Sequence, residues 1–169
     1  PLWSRGLGDV YKRQVLIGCV RKDQTQIFNS VAFITSGSIQ YYDKQALPNY
    51  GIFDEKRYFT KGTSPFITFD IHHHRFGVLI CEDIWDKDTR NAFLKNKVHT
   101  LISLNASPYQ QHKHDQRLEV IHEINKHHVN VLYLNLVGGQ DELIFDGHSI
   151  AVNQKGEVCA VAPSFCLLY

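Results

Sequence analysis

Residues 75–80, Arg-Phe-Gly-Val-Leu-Ile, form a short run of branched and aromatic side chains that stops abruptly at Cys81-Glu82-Asp83. The run is long enough for one buried strand and too short for a helix. It therefore demands a core on both faces of a sheet and leaves a thiol where the chain turns polar. Catalytic and binding groups on open α/β sheets sit at such carboxyl ends. A single cysteine is most simply a small buried hydrophobe, but this position argues for more. Residues 86–95 offer acidic caps followed by helix formers, so a helix N-terminus is expected near the thiol. The positive end of a helix favours the reactive thiolate.

Around this strand, short β-type runs alternate with turn signals. Val15 to Val20, Phe28 to Ile34, Ile39 to Tyr42, Phe66 to Ile71, Thr100 to Asn105, Asn130 to Leu136, Leu143 to Val152 and Glu157 to Val161 read as strands. His72-His73-His74 reads as a tight turn, Ser36-Gly37-Ser38 as another, and Asn153 to Gly156 as a hairpin turn. Helices are expected through Asn91 and Phe93 and over Asp115 to His128, where Leu118, Ile121 and Ile124 recur at helical spacing. Residues 44–63 read as an irregular loop, and a loop of that length rich in aromatics is usually functional. The order predicts an α/β or mixed sandwich fold.

A chain of 169 residues, 43% hydrophobic, suits a single domain. The formal net charge of +1 gives no reason to invoke nucleic acid. No apolar run approaches the ~20 residues of a membrane span. With Cys166 set aside as part of an adapter-like tail, Cys19, Cys81 and Cys159 are widely spaced and odd in number, which predicts reduced thiols and a cytoplasmic setting. Residues 1–14 resemble the translation of a sequencing adapter, and residues 166–169 the same adapter read from the opposite strand. Both are expected to be artefacts, leaving residues 15–165 as a domain cut at both ends.

Lys44 follows a strand and opens the aromatic loop, and alone it would be a surface lysine. Beside a nucleophilic Cys81, an ammonium could hold a thiolate and stabilise an oxyanion. No metal is expected: His122 and His127 are five residues apart, which turns their rings to different sides of a helix. No cysteine pair has zinc-ligand spacing.

Four blocks carry a family resemblance. They are Lys44 with residues 47–51 (Leu-Pro-Asn-Tyr-Gly) and 53–59 (Phe-Asp-Glu-Lys-Arg-Tyr-Phe), residues 77–85 around Cys81, residues 105–109 (Asn-Ala-Ser-Pro-Tyr), and residues 138–147 (Gly-Gly-Gln-Asp-Glu-Leu-Ile-Phe-Asp-Gly). In that order they resemble the nitrilase superfamily of carbon-nitrogen hydrolases, and within it the glutaminase domain of glutamine-dependent NAD synthetases. The resemblance implies a partial α/β/β/α sandwich and a Glu, Lys and Cys constellation that hydrolyses glutamine through a thioester. Cys81 matches the nucleophile, Lys44 the lysine that steadies the intermediate, and Glu55 a glutamate that supports that lysine. The backbone N–H of Glu82 matches a second oxyanion donor, and Tyr50, Ser107 and Lys113 match the glutamine pocket.

The family's proton acceptor is a glutamate upstream of the strand at Val15 to Val20, yet the first glutamate of this chain is Glu55. This chain by itself is therefore expected to be inactive. The resemblance further implies a homo-oligomeric parent with a following synthetase domain, to which ATP, magnesium and deamido-NAD would belong; no cofactor is expected in this chain. Two rivals are an amidase for another small amide and a remnant that only binds.

Overall fold

The computed structural model describes residues 14–166. The adapter-like residues 1–13 and 167–169 lie outside the described residues. The chain divides into two compact units, residues 1–67 and 68–169.

The first unit is an antiparallel three-stranded sheet in the order β1-β2-β3, with β1 Val15–Asp23, β2 Gln26–Thr35 and β3 Ser38–Asp43. The expected strands are all present, lengthened at their ends. Phe28, Val31, Ala32 and Phe33 of β2 and Tyr42 of β3 are buried, whereas Val15, Ile17, Ile39 and Tyr41 are exposed. The strands are pinned by Arg21 of β1, whose Nε and Nη2 donate to Asp43 at 3.0 and 2.6 Å. Ser30 Oγ donates to the same carboxylate at 2.6 Å. These bonds raise the Arg21 pKa further, against the cost of its burial. The aromatic loop after β3 is irregular as expected, except for one helical turn, α1 Glu55–Tyr58.

The second unit carries a six-stranded sheet built on β4 Thr68–Ile71, β5 His74–Ile80, β6 Thr100–Asn105, β7 Asn130–Asn135, β10 Ile150–Val152 and β11 Val158–Val161, in the order β11-β10-β7-β6-β5-β4. β5, β6 and β7 run parallel, and the outer strands are antiparallel to their neighbours. His72 and His73, at φ 47° and 65°, form the two-residue turn between β4 and β5; two successive positive φ values match the twist of a hairpin. Helix α3, Lys87–Leu94, links β5 to β6, and α4, Lys113–Asn125, links β6 to β7. Asp86 caps α3 by accepting from the Thr89 N–H at 2.8 Å. Phe93 of α3 lies so close to β5 that a Cβ at Gly77 would come within 2.6 Å of its ring.

Three expectations need correction. The buried face of α4 is Arg117, Val120, Ile121, Ile124 and Asn125, whereas Leu118 is only half-buried; the apolar stripe is turned by one position, because a buried arginine takes a core place. The predicted strand from Leu143 to Val152 is two strands, β9 Leu143–Asp146 and β10, in different sheets. The break falls at Gly147, where φ is 65° and a Cβ would meet Val137 at 2.4 Å. Finally, residues 137–140 form a strand, β8, paired antiparallel with β9.

Candidate active site

Cys81 directly follows β5 and precedes a single helical turn, α2 Glu82–Trp85. Its backbone is at φ 44° and ψ −102°, a region that costs a residue with a Cβ about 1–3 kcal/mol. Three hydrogen bonds impose it. The Cys81 N–H donates to Leu104 O at 3.0 Å, the Ile84 N–H to Cys81 O at 3.1 Å, and the Ile80 N–H to Asp83 Oδ2 at 3.1 Å. The half-buried thiol is thus thrust out of the sheet at a strained turn. The helix nearest to it is the one-turn α2 rather than the longer α3, so the field of a helix N-terminus is smaller than the sequence suggested. The Glu82 amide opens α2, and the first amides of a helix have no acceptor within it.

Lys113 opens α4 and sets its ammonium 4.4 Å from the Trp85 ring centroid. Burial and the neighbouring Arg117 lower the Lys113 pKa, and the negative charges of Cys81 and Glu82 oppose that shift. Cys81, Glu82, Trp85 and Lys113 therefore share one electrostatic neighbourhood. A cation above an indole face gains stabilisation without losing its charge.

Ser107 follows the carboxyl end of β6 and is only 4% exposed. Its N–H donates to Asn135 Oδ1 at 2.9 Å. Its carbonyl accepts from Arg117 Nη2 at 3.1 Å and Asn135 Nδ2 at 3.3 Å. Its hydroxyl accepts from Arg117 Nη2 at 3.4 Å. Arg117 is fully buried and forks onto Asp146 through two bonds of 2.9 Å. Tyr133 of β7 is also fully buried. Its hydroxyl lies against Ser107 and Arg117 without aligned geometry to either. Burial, and then the charge of Cys81, raise its pKa and keep it a neutral phenol.

Within the first unit, Lys44 is 1% exposed and donates to both Glu55 oxygens, at 2.7 and 2.9 Å. Its N–H donates to Asn29 O at 2.8 Å and its carbonyl accepts from the Gly62 N–H at 2.8 Å. Lys44 is therefore not the surface lysine that its residue type suggests. Glu55 starts α1, and its amide is held by Pro48 O at 3.1 Å. Tyr50 is 59% exposed, its ring edge-on to Phe53 at 5.8 Å.

The structure thus brings Cys81, Glu82 and Lys113 together in one unit, with Ser107 held beside the Arg117 network, and Lys44 with Glu55 in the other. Arg117, Asn135, Tyr133 and Asp146 were not singled out from sequence. Arg117 had a signal: it falls one turn before Ile121 and Val120 on the buried stripe, and an arginine there must bring an acid with it.

Residues 11–166 match the carbon-nitrogen hydrolase family. The glutamine-dependent NAD(+) synthetase of Acinetobacter baylyi is 48% identical over 140 residues, which is 82% of this chain and 26% of that protein. The glutamine-dependent NAD(+) synthetase of Thermotoga maritima is 41% identical over 148 residues, 85% of this chain and 25% of that protein. Among solved structures, the glutamine-dependent NAD+ synthetase from Acinetobacter baumannii superposes with a TM-score of 0.87 at 42% identity, covering 96% of this chain and 31% of that one. An amidase of the nitrilase superfamily from Nesterenkonia AN1 superposes with a TM-score of 0.78 at 17% identity, over 95% of this chain and 61% of that one; this likeness is one of fold. The chain spans about a quarter to a third of the length of the synthetases it matches, and its α/β fold is that of nitrilase-superfamily structures.

Proposed function

The chain belongs to the carbon-nitrogen hydrolase family, and from that premise we propose that it is glutaminase sequence of a glutamine-dependent NAD synthetase. The observation that carries the reading is the strained backbone of Cys81 at the carboxyl end of a central parallel strand, in a segment 48% identical to such a synthetase. In this reading the Cys81 thiolate attacks the side-chain amide carbon of glutamine. The C–N bond breaks, ammonia leaves with a proton, and water cleaves the thioester to glutamate and a free thiol. The Glu82 amide and the Lys44 ammonium are assigned to the oxyanion. The burial of Lys44 supports its assignment: a lysine is rarely fully buried unless paired, and both Glu55 oxygens accept from this one. Tyr50, Ser107 and Lys113 are assigned to glutamine, Lys113 as the cation for a carboxylate.

Glu55, the first glutamate of the sequence, is engaged by Lys44 and is assigned to holding that lysine rather than to taking the thiol proton. The ammonia would pass to a synthetase domain that uses ATP and magnesium to amidate deamido-NAD, in a cytoplasmic, homo-oligomeric parent. The test is covalent capture. A glutamine-shaped chloromethyl ketone should alkylate the wild-type chain at Cys81, as read by intact mass and peptide mapping, faster than a chloromethyl ketone lacking the amino acid head. Labelling of Cys81→Ala at an equal rate would overturn the assignment.

A further inference from the structure

We propose that Trp85 is a positioning residue whose indole holds the Lys113 ammonium in place without neutralising it, so that the cation is kept for a carboxylate on the ligand. The inference rests on the proposed glutaminase reading and adds to it why the site would prefer an amide that carries a carboxylate over a neutral one. Lys113 Nζ lies 4.4 Å from the Trp85 ring centroid, inside the range of about 6 Å over which an indole face attracts a cation. Among the described residues, none forms an ion pair with this ammonium or accepts a hydrogen bond from it. Lys44 is the contrast, because both Glu55 oxygens accept from it. An acid in the place of Trp85 would hold Lys113 too, but it would occupy the ammonium's donors and compete with a ligand carboxylate. A ring face attracts the cation and supplies no countercharge, which leaves the three N–H donors of the lysine open.

Both partners are anchored to the elements around the nucleophile. Trp85 ends α2, the turn that opens directly after Cys81. Its neighbours are fixed on both sides: the Ile84 carbonyl accepts from Arg90 Nη1 at 2.9 Å, and the Asp86 N–H donates to Glu82 O at 2.9 Å while the Asp86 carboxylate caps α3. Lys113 is the first residue of α4, and its N–H donates to Gln110 O at 3.1 Å. Lys113 is half-buried, and the charges of Cys81 and Glu82 act on it, so the cation and the thiol lie within electrostatic range of each other. What the indole supplies is order. A lysine carries its charge on a flexible four-carbon stem, and immobilising one such side chain when a ligand binds weakens binding by about two- to tenfold. A cation already seated on a ring avoids that cost.

The experiment labels Cys81 of the whole chain with two chloromethyl ketones that differ only at the head: one is glutamine-shaped with its α-carboxylate, and the other carries a neutral carboxamide there. The readout is the ratio of the two rates, carboxylate over carboxamide, in which changes in the thiol itself cancel. Lys113→Met should remove most of the wild-type preference for the carboxylate. Trp85→Leu should lower the ratio about fivefold, whereas Trp85→Phe, which keeps a ring face, should retain most of it. Trp85→Leu combined with Lys113→Met should fall no further than Lys113→Met alone. A wild-type ratio in Trp85→Leu, equal ratios in the Leu and Phe variants, or a double variant that falls by the product of the two singles overturns the inference and leaves the glutaminase reading standing. Wild-type labelling by both reagents no faster than by a chloromethyl ketone without the head refutes the glutaminase reading and the inference with it. If circular dichroism shows that Trp85→Leu does not fold, difluorotryptophan is incorporated in a Trp3→Phe chain, where Trp85 is the one remaining tryptophan. Fluorine keeps the shape of the ring and drains charge from its face, so the ratio should fall about twofold; an unchanged ratio overturns the inference.

Discussion

Replacing Glu55 by glutamine should destabilise the chain by about 3 kcal/mol. The Lys44 ammonium is 1% exposed and its two contacts to Glu55, at 2.7 and 2.9 Å, supply its countercharge. Two unit charges about 4 Å apart attract by about 4 kcal/mol at an effective dielectric of about 20. Glu55 is 21% exposed, so water screens part of this, whereas stripping a buried charge of its partner costs about 3–5 kcal/mol. Glutamine keeps one oxygen acceptor but no charge, which places the expectation at the lower end. Urea unfolding of wild type and Glu55→Gln, followed by circular dichroism and extrapolated to water, measures the difference. The double substitution Lys44→Met with Glu55→Leu should recover most of the loss, because a buried pair replaced by apolar groups of similar size is often neutral. A loss in Glu55→Gln below about 1 kcal/mol would mean that the pair behaves as an exposed ion pair, and the argument that Lys44 depends on Glu55 in a buried setting would fail.

Two further substitutions probe the second unit. Gly77→Ala should cost about 2–3 kcal/mol, at the upper end for overpacking, because its Cβ would lie 2.6 Å from the Phe93 ring; a thermal melt should show the loss, and Phe93→Leu in the same chain should return part of it. His148 stacks on His114 at 4.2 Å, and burial, followed by the His114 charge, lowers its pKa, with Arg117 acting in the same direction and Asp146 against it. The unfolded chain therefore binds the proton more readily, so stability is fully present above the ordinary histidine pKa of about 6.5 and declines as pH falls below it. His148→Asn, chosen because residue 148 has φ 53°, should flatten the change in urea midpoint between pH 7.5 and 5.5 that is attributable to this ring; an unchanged slope would refute the stacking argument.

The sequence made the strands legible because their side chains are apolar on a short period and because turn residues separate them; β5, β6 and β7 fall within a residue or so of expectation. It made Cys81 conspicuous by position alone. What it hid were buried charges. Lys44 and Arg117 belong to residue types that lie on surfaces unless paired, and their partners, Glu55 and Asp146, are 11 and 29 residues away. Such pairs cannot be read from local periodicity, and Arg117 also displaced the apparent stripe of α4. The Gly138-Gly139 segment was missed as a strand because glycine carries no side chain to show an alternation, although its partner β9 is apolar enough to be seen.

The geometry at Cys81 explains why separate short blocks of sequence act as one. Strained φ and ψ values persist only where the surroundings over-determine them, and here the restraint is the parallel ladder itself. Leu104 of β6 takes the Cys81 N–H, which extends the pairing of β5 with β6 one step past the strand. Three residues beyond Leu104 the same chain reaches Ser107, whose N–H is held by Asn135 at the carboxyl end of β7. The nucleophile is thus set by a backbone hydrogen bond between adjacent strand ends, and Ser107 by the side chain of Asn135 at the end of the next strand. A shift of β6 by one residue would move Leu104 and Ser107 together and break both restraints at once. Consequently a substitution such as Asn135→Leu, which removes the acceptor for the Ser107 N–H, should disturb glutamine-shaped labelling of Cys81 more than iodoacetamide labelling, although Asn135 itself need touch no ligand.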